Sequence, residues 1–236
     1  MSKANGEKLQ VSNTPRCIGV ILDGNRRWAK AKGLPTFEGH RRGYEKVKEL
    51  MGWAKEAGVK YVLAYAFSTE NWNRTPEEVS YLMGLFKGTL TRGLDELQRA
   101  GIRVRYIGER SRFSPELQAL MTGVENETEA LPGPTLVLAL SYGGRAEIVQ
   151  AVQKAVKEGK EELTEQDFAS HLWTAGIPDP DLIIRTGGEK RLSGFLTWQS
   201  VYSELFFVDT YLPDFSKEEF QAILSEFAGR ERRMGR

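Results

Sequence analysis

Cysteine is almost missing from this chain of 236 residues, and that single Cys17 excludes an intrachain disulfide scaffold. It lies in the first apolar run, where a buried structural thiol is a better reading than a nucleophile. Two histidines are too few for a histidine-rich zinc cluster. Charge of one sign is lacking too: 33 Lys and Arg against 32 Asp and Glu leave a net charge of +1. No global field therefore draws the chain to nucleic acid or to an acidic membrane. No apolar run reaches the ~18 residues that would span a bilayer, and the polar stretch from Met1 to Pro15 has no signal-peptide core. The expected location is cytoplasmic, with at most peripheral contact at the inner face of a membrane. Walker A, GxGxxG, HExxH and GxSxG motifs are absent.

What is present is an alternation of apolar runs and amphipathic stretches. Strands are expected at 18–22, 61–67, 104–107, 136–140, 182–184 and 205–208. Helical patterns lie at 39–57, 77–100, 115–130, 145–158 and 217–227, several with start signals such as Thr75-Pro76-Glu77 and Ser114-Pro115-Glu116. This alternation calls for an α/β fold, a mostly parallel six-stranded sheet flanked by helices. With no repeat, no low-complexity tract and no linker, the expected organisation is a flexible arm (1–15), one domain (16–229) and a basic tail (230–236).

Three strands end in polar, anion-suited clusters. The first run stops at Asp23-Gly24-Asn25-Arg26-Arg27-Trp28, the second at Ser68-Thr69-Glu70-Asn71-Trp72-Asn73-Arg74, the fifth at Arg185-Thr186-Gly187-Gly188-Glu189-Lys190-Arg191. D-G-N alone is also ordinary turn chemistry. Repeated at three strand tips, where parallel sheets open their ligand crevice, the pattern points to a metal-holding carboxylate beside arginines that grip a polyanion.

In this order, DGNRRWA, FSTENWNR, RTGGEKRLSGFLTWQ, YSELFF with LPDF, and a terminal RERRMG resemble the cis-prenyltransferases along nearly the whole chain. The resemblance implies an enzyme that condenses isopentenyl diphosphate onto an allylic diphosphate such as farnesyl diphosphate, with Mg²⁺, giving a long (Z)-polyprenyl diphosphate such as undecaprenyl diphosphate. Asp23 would be catalytic and hold the metal; Gly24, Asn25, Arg26, Arg27 and Trp28 would form the allylic site. His40 is either a phosphate or proton-relay group or a helix-surface residue beside Arg41 and Arg42. Arg185, Arg191, Leu192 and Ser193 resemble the site for the second diphosphate, although loop arginines can also be merely solvated. Glu204 would be a second metal carboxylate, or else an edge-strand glutamate. The middle cluster, Ser68, Thr69, Glu70, Asn71, Trp72 and Arg74 with Glu78 behind it, would close over the substrate. Asn71 there orients or relays a proton rather than accepting one outright, since an amide is not a base. Trp72 and Phe67 read as core packing, as a lid, or as both.

A Leu/Phe stripe within 81–97, with Leu82, Met83, Leu85, Phe86 and Leu90, would line a tunnel for the apolar tail, or would simply be core. Thr36 stands where related bacterial enzymes often carry arginine, a contact Arg26 can cover, and Gly194 replaces a more usual Asn. The resemblance also implies a homodimer in which Arg233 of the tail completes the neighbour's site, against the plainer reading of a frayed basic terminus. Two rivals are a catalytically silent subunit of the same fold, which would be expected to lack Asp23 or the RTGGE arginines, and a Mg²⁺-dependent phosphate hydrolase on a Rossmann-like sheet. A shorter-chain (Z)-prenyl diphosphate synthase is the alternative within the family.

Overall fold

A computed structural model describes residues 14–231. Most of the expected arm and tail, Arg233 included, lies outside the described residues. Six strands, β1 (Cys17–Ile21), β2 (Tyr61–Ser68), β3 (Arg103–Ile107), β4 (Thr135–Tyr142), β5 (Leu182–Arg185) and β6 (Glu204–Phe207), form one sheet in the order β3-β4-β2-β1-β5-β6. Every pairing is parallel, so the sheet is more uniform than the expected mostly parallel one.

Both faces are covered, as an all-parallel sheet requires. The period of two along each strand divides the core. Ile18, Val20, Val62, Ala64, Leu182 and Ile184 pack against helices α2 (Thr36–Ala57) and α8 (Lys217–Gly229). Their neighbours Cys17, Ile21, Leu63, Tyr65 and Ile183 meet Phe195, Leu196 and Ile177 on the other face. Cys17 is fully buried, and burial raises its thiol pKa well above the usual range.

The remaining helices are α1 (Asn25–Ala31), α3 (Pro76–Arg92), α4 (Leu94–Ala100), α5 (Pro115–Thr128), α6 (Gly144–Lys157) and α7 (Glu165–Ala169). The helix expected over 77–100 is broken in two at Gly93, whose added Cβ would lie 2.6 Å from the Thr89 carbonyl oxygen. Helices α1 and α7 have seven and five residues, too few turns to show a period.

The topology locates the site. From β1 the chain moves to β2 on one side, and after β4 it crosses over to place β5 on the other side of β1. The C-terminal ends of β1 and β5 therefore flank the switch point where open α/β sheets bind ligands.

Candidate active site

Beyond β1, Asp23 enters this crevice, and its backbone is locked by a buried hydroxyl. Thr186 Oγ1 donates to the Asp23 carbonyl at 2.7 Å and accepts from the Asp23 N–H at 3.1 Å. Gly24 follows at φ +101°, seated so closely on Tyr211 that a Cβ would lie 2.7 Å from its ring. Only glycine turns the chain there into α1.

The Asp23 carboxylate is held from three directions. Arg185 Nη2 donates to Oδ2 at 2.8 Å, the Gly24 N–H donates to Oδ1 at 2.6 Å, and Arg27 lies 3.2 Å from Oδ1. Partial burial alone would raise the carboxyl pKa, but the Arg185 and Gly24 hydrogen bonds and the two guanidinium charges outweigh it and hold the group below its ordinary value. Arg185 also donates to Ser193 Oγ at 2.9 Å and to the Arg191 carbonyl. Its fork is thus turned on protein groups, and it works as a brace between β1 and the 191–193 loop. Arg191, with an exposed side chain, pairs with Glu189, and Glu189 also lies 3.4 Å from Arg27. The arginines expected at separate sites therefore share one carboxylate.

A second cluster faces the first. Glu78, buried on α3, lies 3.1 Å from His40 Nε2, 3.0 Å from Arg74 Nη1 and 3.8 Å from Arg26 Nε. Burial lowers the His40 pKa despite the opposing pull of Glu78. Asn71 Oδ1 accepts the Ser68 N–H at 3.0 Å, so its NH₂ is what it can offer the cleft. A cleft of about 1100 Å³ joins the clusters, lined by Asp23, Gly24, Asn25, Arg26, Arg27, His40, Ser68, Glu70, Asn71, Arg74, Arg185, Arg191 and Ser193.

Five expected residues stand apart from that lining. Trp28 is buried and donates from Nε1 to Asp214 at 2.8 Å, a strut beneath α1. Trp72 donates to Ser141 Oγ at 3.0 Å and packs edge-on to Phe67, which makes it packing rather than a cleft wall. Thr69 stands against Gly143, whose Cβ would lie 2.7 Å from its hydroxyl, and Leu192 packs into the core face with Phe195. Glu204 opens β6 in register with Leu182 at the start of β5, whereas Asp23 lies beyond the residue paired with Arg185 at the end of β5. Parallel register thus sends Glu204 to the far end of the sheet, where it pairs with Arg230, and within one chain it is not a co-ligand of Asp23. Sequence reasoning in turn gave no individual role to Thr186, Glu189 or Tyr211, although the first two lie inside the RTGGE run.

A single carboxylate such as Asp23 is compatible with Mg²⁺, which is commonly held by one or two carboxylates with substrate phosphates and waters completing its shell. Among the described residues no group of three or more His, Cys, Asp or Glu forms a self-sufficient metal cage.

Behind the polar cleft lies an apolar cavity of about 260 Å³ between the sheet and α2, α3 and α4. Leu82, Leu85, Phe86 and Leu90 line it as expected, while Met83 packs instead with the Phe67 cluster. Leu22, Asn25, His40, Ala66 and Leu82 line both spaces, so the cleft and the cavity adjoin across these side chains.

A parallel α/β sheet with an arginine-rich cleft at its switch point and a greasy cavity behind it defines a class: proteins that hold an anionic head and an apolar tail together. The sequence profile of the family described as "Putative undecaprenyl diphosphate synthase" matches residues 21–235. An isoprenyl transferase of Rhizobium meliloti is 46% identical over 235 residues, covering 97% of this chain and 95% of its own. One from Aquifex pyrophilus is 47% identical over 222 residues, covering 94% and 96%. Lavandulyl diphosphate synthase from Lavandula x intermedia, solved with dimethylallyl diphosphate, superposes with a TM-score of 0.89 at 34% identity, over 94% of this chain and 99% of that one. A probable undecaprenyl diphosphate synthase from Campylobacter jejuni gives 0.81 at 32% identity, over 95% and 100%. The chain belongs to the undecaprenyl diphosphate synthase family of cis-prenyltransferases, and it is a prenyltransferase.

Proposed function

We propose that this protein elongates an allylic diphosphate such as farnesyl diphosphate with isopentenyl diphosphate, in the presence of Mg²⁺, to a long (Z)-polyprenyl diphosphate of the undecaprenyl type. The observation that carries the proposal is the shared lining of the polar cleft and the apolar cavity, which fits one amphiphile with its diphosphate at Asp23 and its tail beyond Leu22 and Ala66.

Asp23 would hold the metal against the allylic diphosphate, where the ion offsets charge on the leaving group. Gly24, Asn25, Arg26 and Arg27 surround that head group; Arg191 and Ser193, braced by Arg185, hold the isopentenyl diphosphate. As the allylic C–O bond breaks, its electron pair leaves with diphosphate, and the isopentenyl alkene supplies the pair for the new C–C bond. Loss of a proton beside the resulting cation then forms the new double bond. Asn71, donating from its amide, orients a phosphate oxygen toward that proton instead of accepting it, and His40, kept neutral by burial, stands at the mouth of the tail cavity. The apolar wall excludes water from the cation.

The one-domain organisation of 16–229, cytoplasmic location and contact with a membrane surface for product release belong to this reading. So does a homodimer with Arg233 acting in trans. Val149, Val152 and Val156, exposed at helical spacing on α6, support an apolar contact with a second copy. Among the described residues no helix is long and apolar enough to cross a membrane. Incubating the pure protein with labelled isopentenyl diphosphate, farnesyl diphosphate and Mg²⁺, then sizing the products, tests the proposal. A ladder of longer prenyl diphosphates is expected, abolished by EDTA; release of phosphate without elongation would instead identify a hydrolase.

A further inference from the structure

The cavity is small for a chain that keeps growing. Its volume of about 260 Å³ lies below the roughly 300–1,000 Å³ of a pocket that encloses a drug-sized ligand. If the protein elongates as proposed above, repeated isoprene addition soon overfills it, and some wall has to give.

The walls differ in strength. Val104, Leu136 and Leu138 belong to paired strands, and α2 runs unbroken over 22 residues. At the far end Lys55 Nζ donates to the Ala100 carbonyl at 2.6 Å. The wall between α2 and the α3–α4 junction is thinner. Tyr44, Lys48, Leu85, Thr89, Gly93 and Glu96 line the cavity and also an outer groove of about 300 Å³, so a single layer of side chains separates the two. The helical rod breaks there at Gly93. Lys48 spans the gap to Glu96 at 2.8 Å, with its ammonium 5.0 Å from the centre of the Tyr44 ring. The paired side chains are 34% and 54% exposed, and an ion pair so solvated contributes little. Breaking it costs less than overpacking a filled cavity or pulling a strand from the sheet.

We propose that the lengthening prenyl chain leaves the cavity sideways, between α2 and the α3–α4 junction, and that Lys48, Glu96 and Tyr44 form the latch that sets the length at which it breaks out. The latch is a determinant of product length and takes no part in bond formation. A stronger latch confines the chain and favours shorter products; a weaker one releases it to grow.

The test sizes products from labelled isopentenyl diphosphate and farnesyl diphosphate, with the first condensation timed separately. Glu96→Lys, which sets like charge against Lys48, should shift products to longer chains while the first condensation keeps its rate. The double swap Lys48→Glu with Glu96→Lys restores the opposite-charge pair, though not the Tyr44 contact or the 3.7 Å approach of Lys48 to Glu45, and should move products back toward the wild-type distribution, a rescue that general loosening of the fold would not give. Thr89→Trp, filling the window, should shift products to shorter chains. Unchanged lengths in all three variants overturn the latch, as does shortening by Ala100→Trp without any by Thr89→Trp, which would put the exit at the far end. Wild-type protein that performs no elongation at all would overturn the proposed function itself, an outcome distinct from elongation with unmoved lengths.

Discussion

Asp23 carries two duties that its substitution should separate. As the proposed metal-holding carboxylate of the cleft, its loss in Asp23→Ala should cut turnover by orders of magnitude, measured as condensation rate at saturating Mg²⁺. As the partner of Arg185, whose side chain is 5% exposed, it also holds β1 to β5. Losing a hydrogen bond to a charged group should cost about 1.5–3 kcal/mol, read from the urea midpoint at unchanged slope. The protein should still fold, because the sheet beneath is apolar on both faces. The pH dependence has a definite sign. A carboxyl whose folded pKa is held down stabilises the fold above its unfolded value of about 3.9, and that stability is lost as pH falls through the lower folded value. His40 acts in the same sense at higher pH. Folding keeps it neutral by burial, so stability drains as pH falls below about 6.5, where the unfolded imidazole takes up a proton first. Urea midpoints of wild type and His40→Gln between pH 7.5 and 5.5, an interval bracketing that ~6.5 value, should converge as pH falls.

Helix α1 is held by close approach rather than by its own seven residues, which are too few for a stable isolated helix. A Cβ on Gly43 of α2 would lie 2.5 Å from the Asn25 side-chain oxygen. Gly43→Ala should therefore cost about 1–3 kcal/mol and raise KM for the allylic substrate by displacing Asn25. Ser216→Ala is the contrasting case, because it removes the N-cap of α8 on a helix remote from the cleft. It should cost about 1 kcal/mol in thermal or urea unfolding and leave kinetics alone. This dependence on partners explains what could be read from the sequence. The strand tips at Asp23, Ser68 and Arg185 were legible because an apolar run ending in charge is a local signal. Trp28 and Trp72 were not, because their directions are set by Asp214 and Ser141, 186 and 69 residues away. The place of Glu204 at the far end of the sheet from Asp23 was not legible either, because it follows from the β5–β6 register, which no local pattern encodes. Gly93 carried its own signal, a helix breaker inside a helical pattern.

For the whole molecule, the homodimer proposal makes a prediction that needs no view of the tail. Inactive Asp23→Ala and inactive Arg233→Ala subunits are mixed and allowed to exchange. If the tail acts in trans, one site of each mixed dimer keeps an intact Asp23 and borrows an intact Arg233, so activity should reappear in the condensation assay. Activity no higher than that of the two variants assayed apart would refute the arrangement.

The pairing of β1 with β5 reaches beyond the finished enzyme to its synthesis. Asp23 and Arg185 are separated by 162 positions along the chain, with three strands made between them. At about 5–20 residues per second on the ribosome, β1 waits on the order of ten seconds for its second neighbour. Throughout that interval one edge of the strand that becomes central is an open template for the wrong partner. A nascent chain stalled before residue 182 has no β5. It should bind a holdase chaperone, whereas one stalled with β5 and β6 clear of the exit tunnel should not.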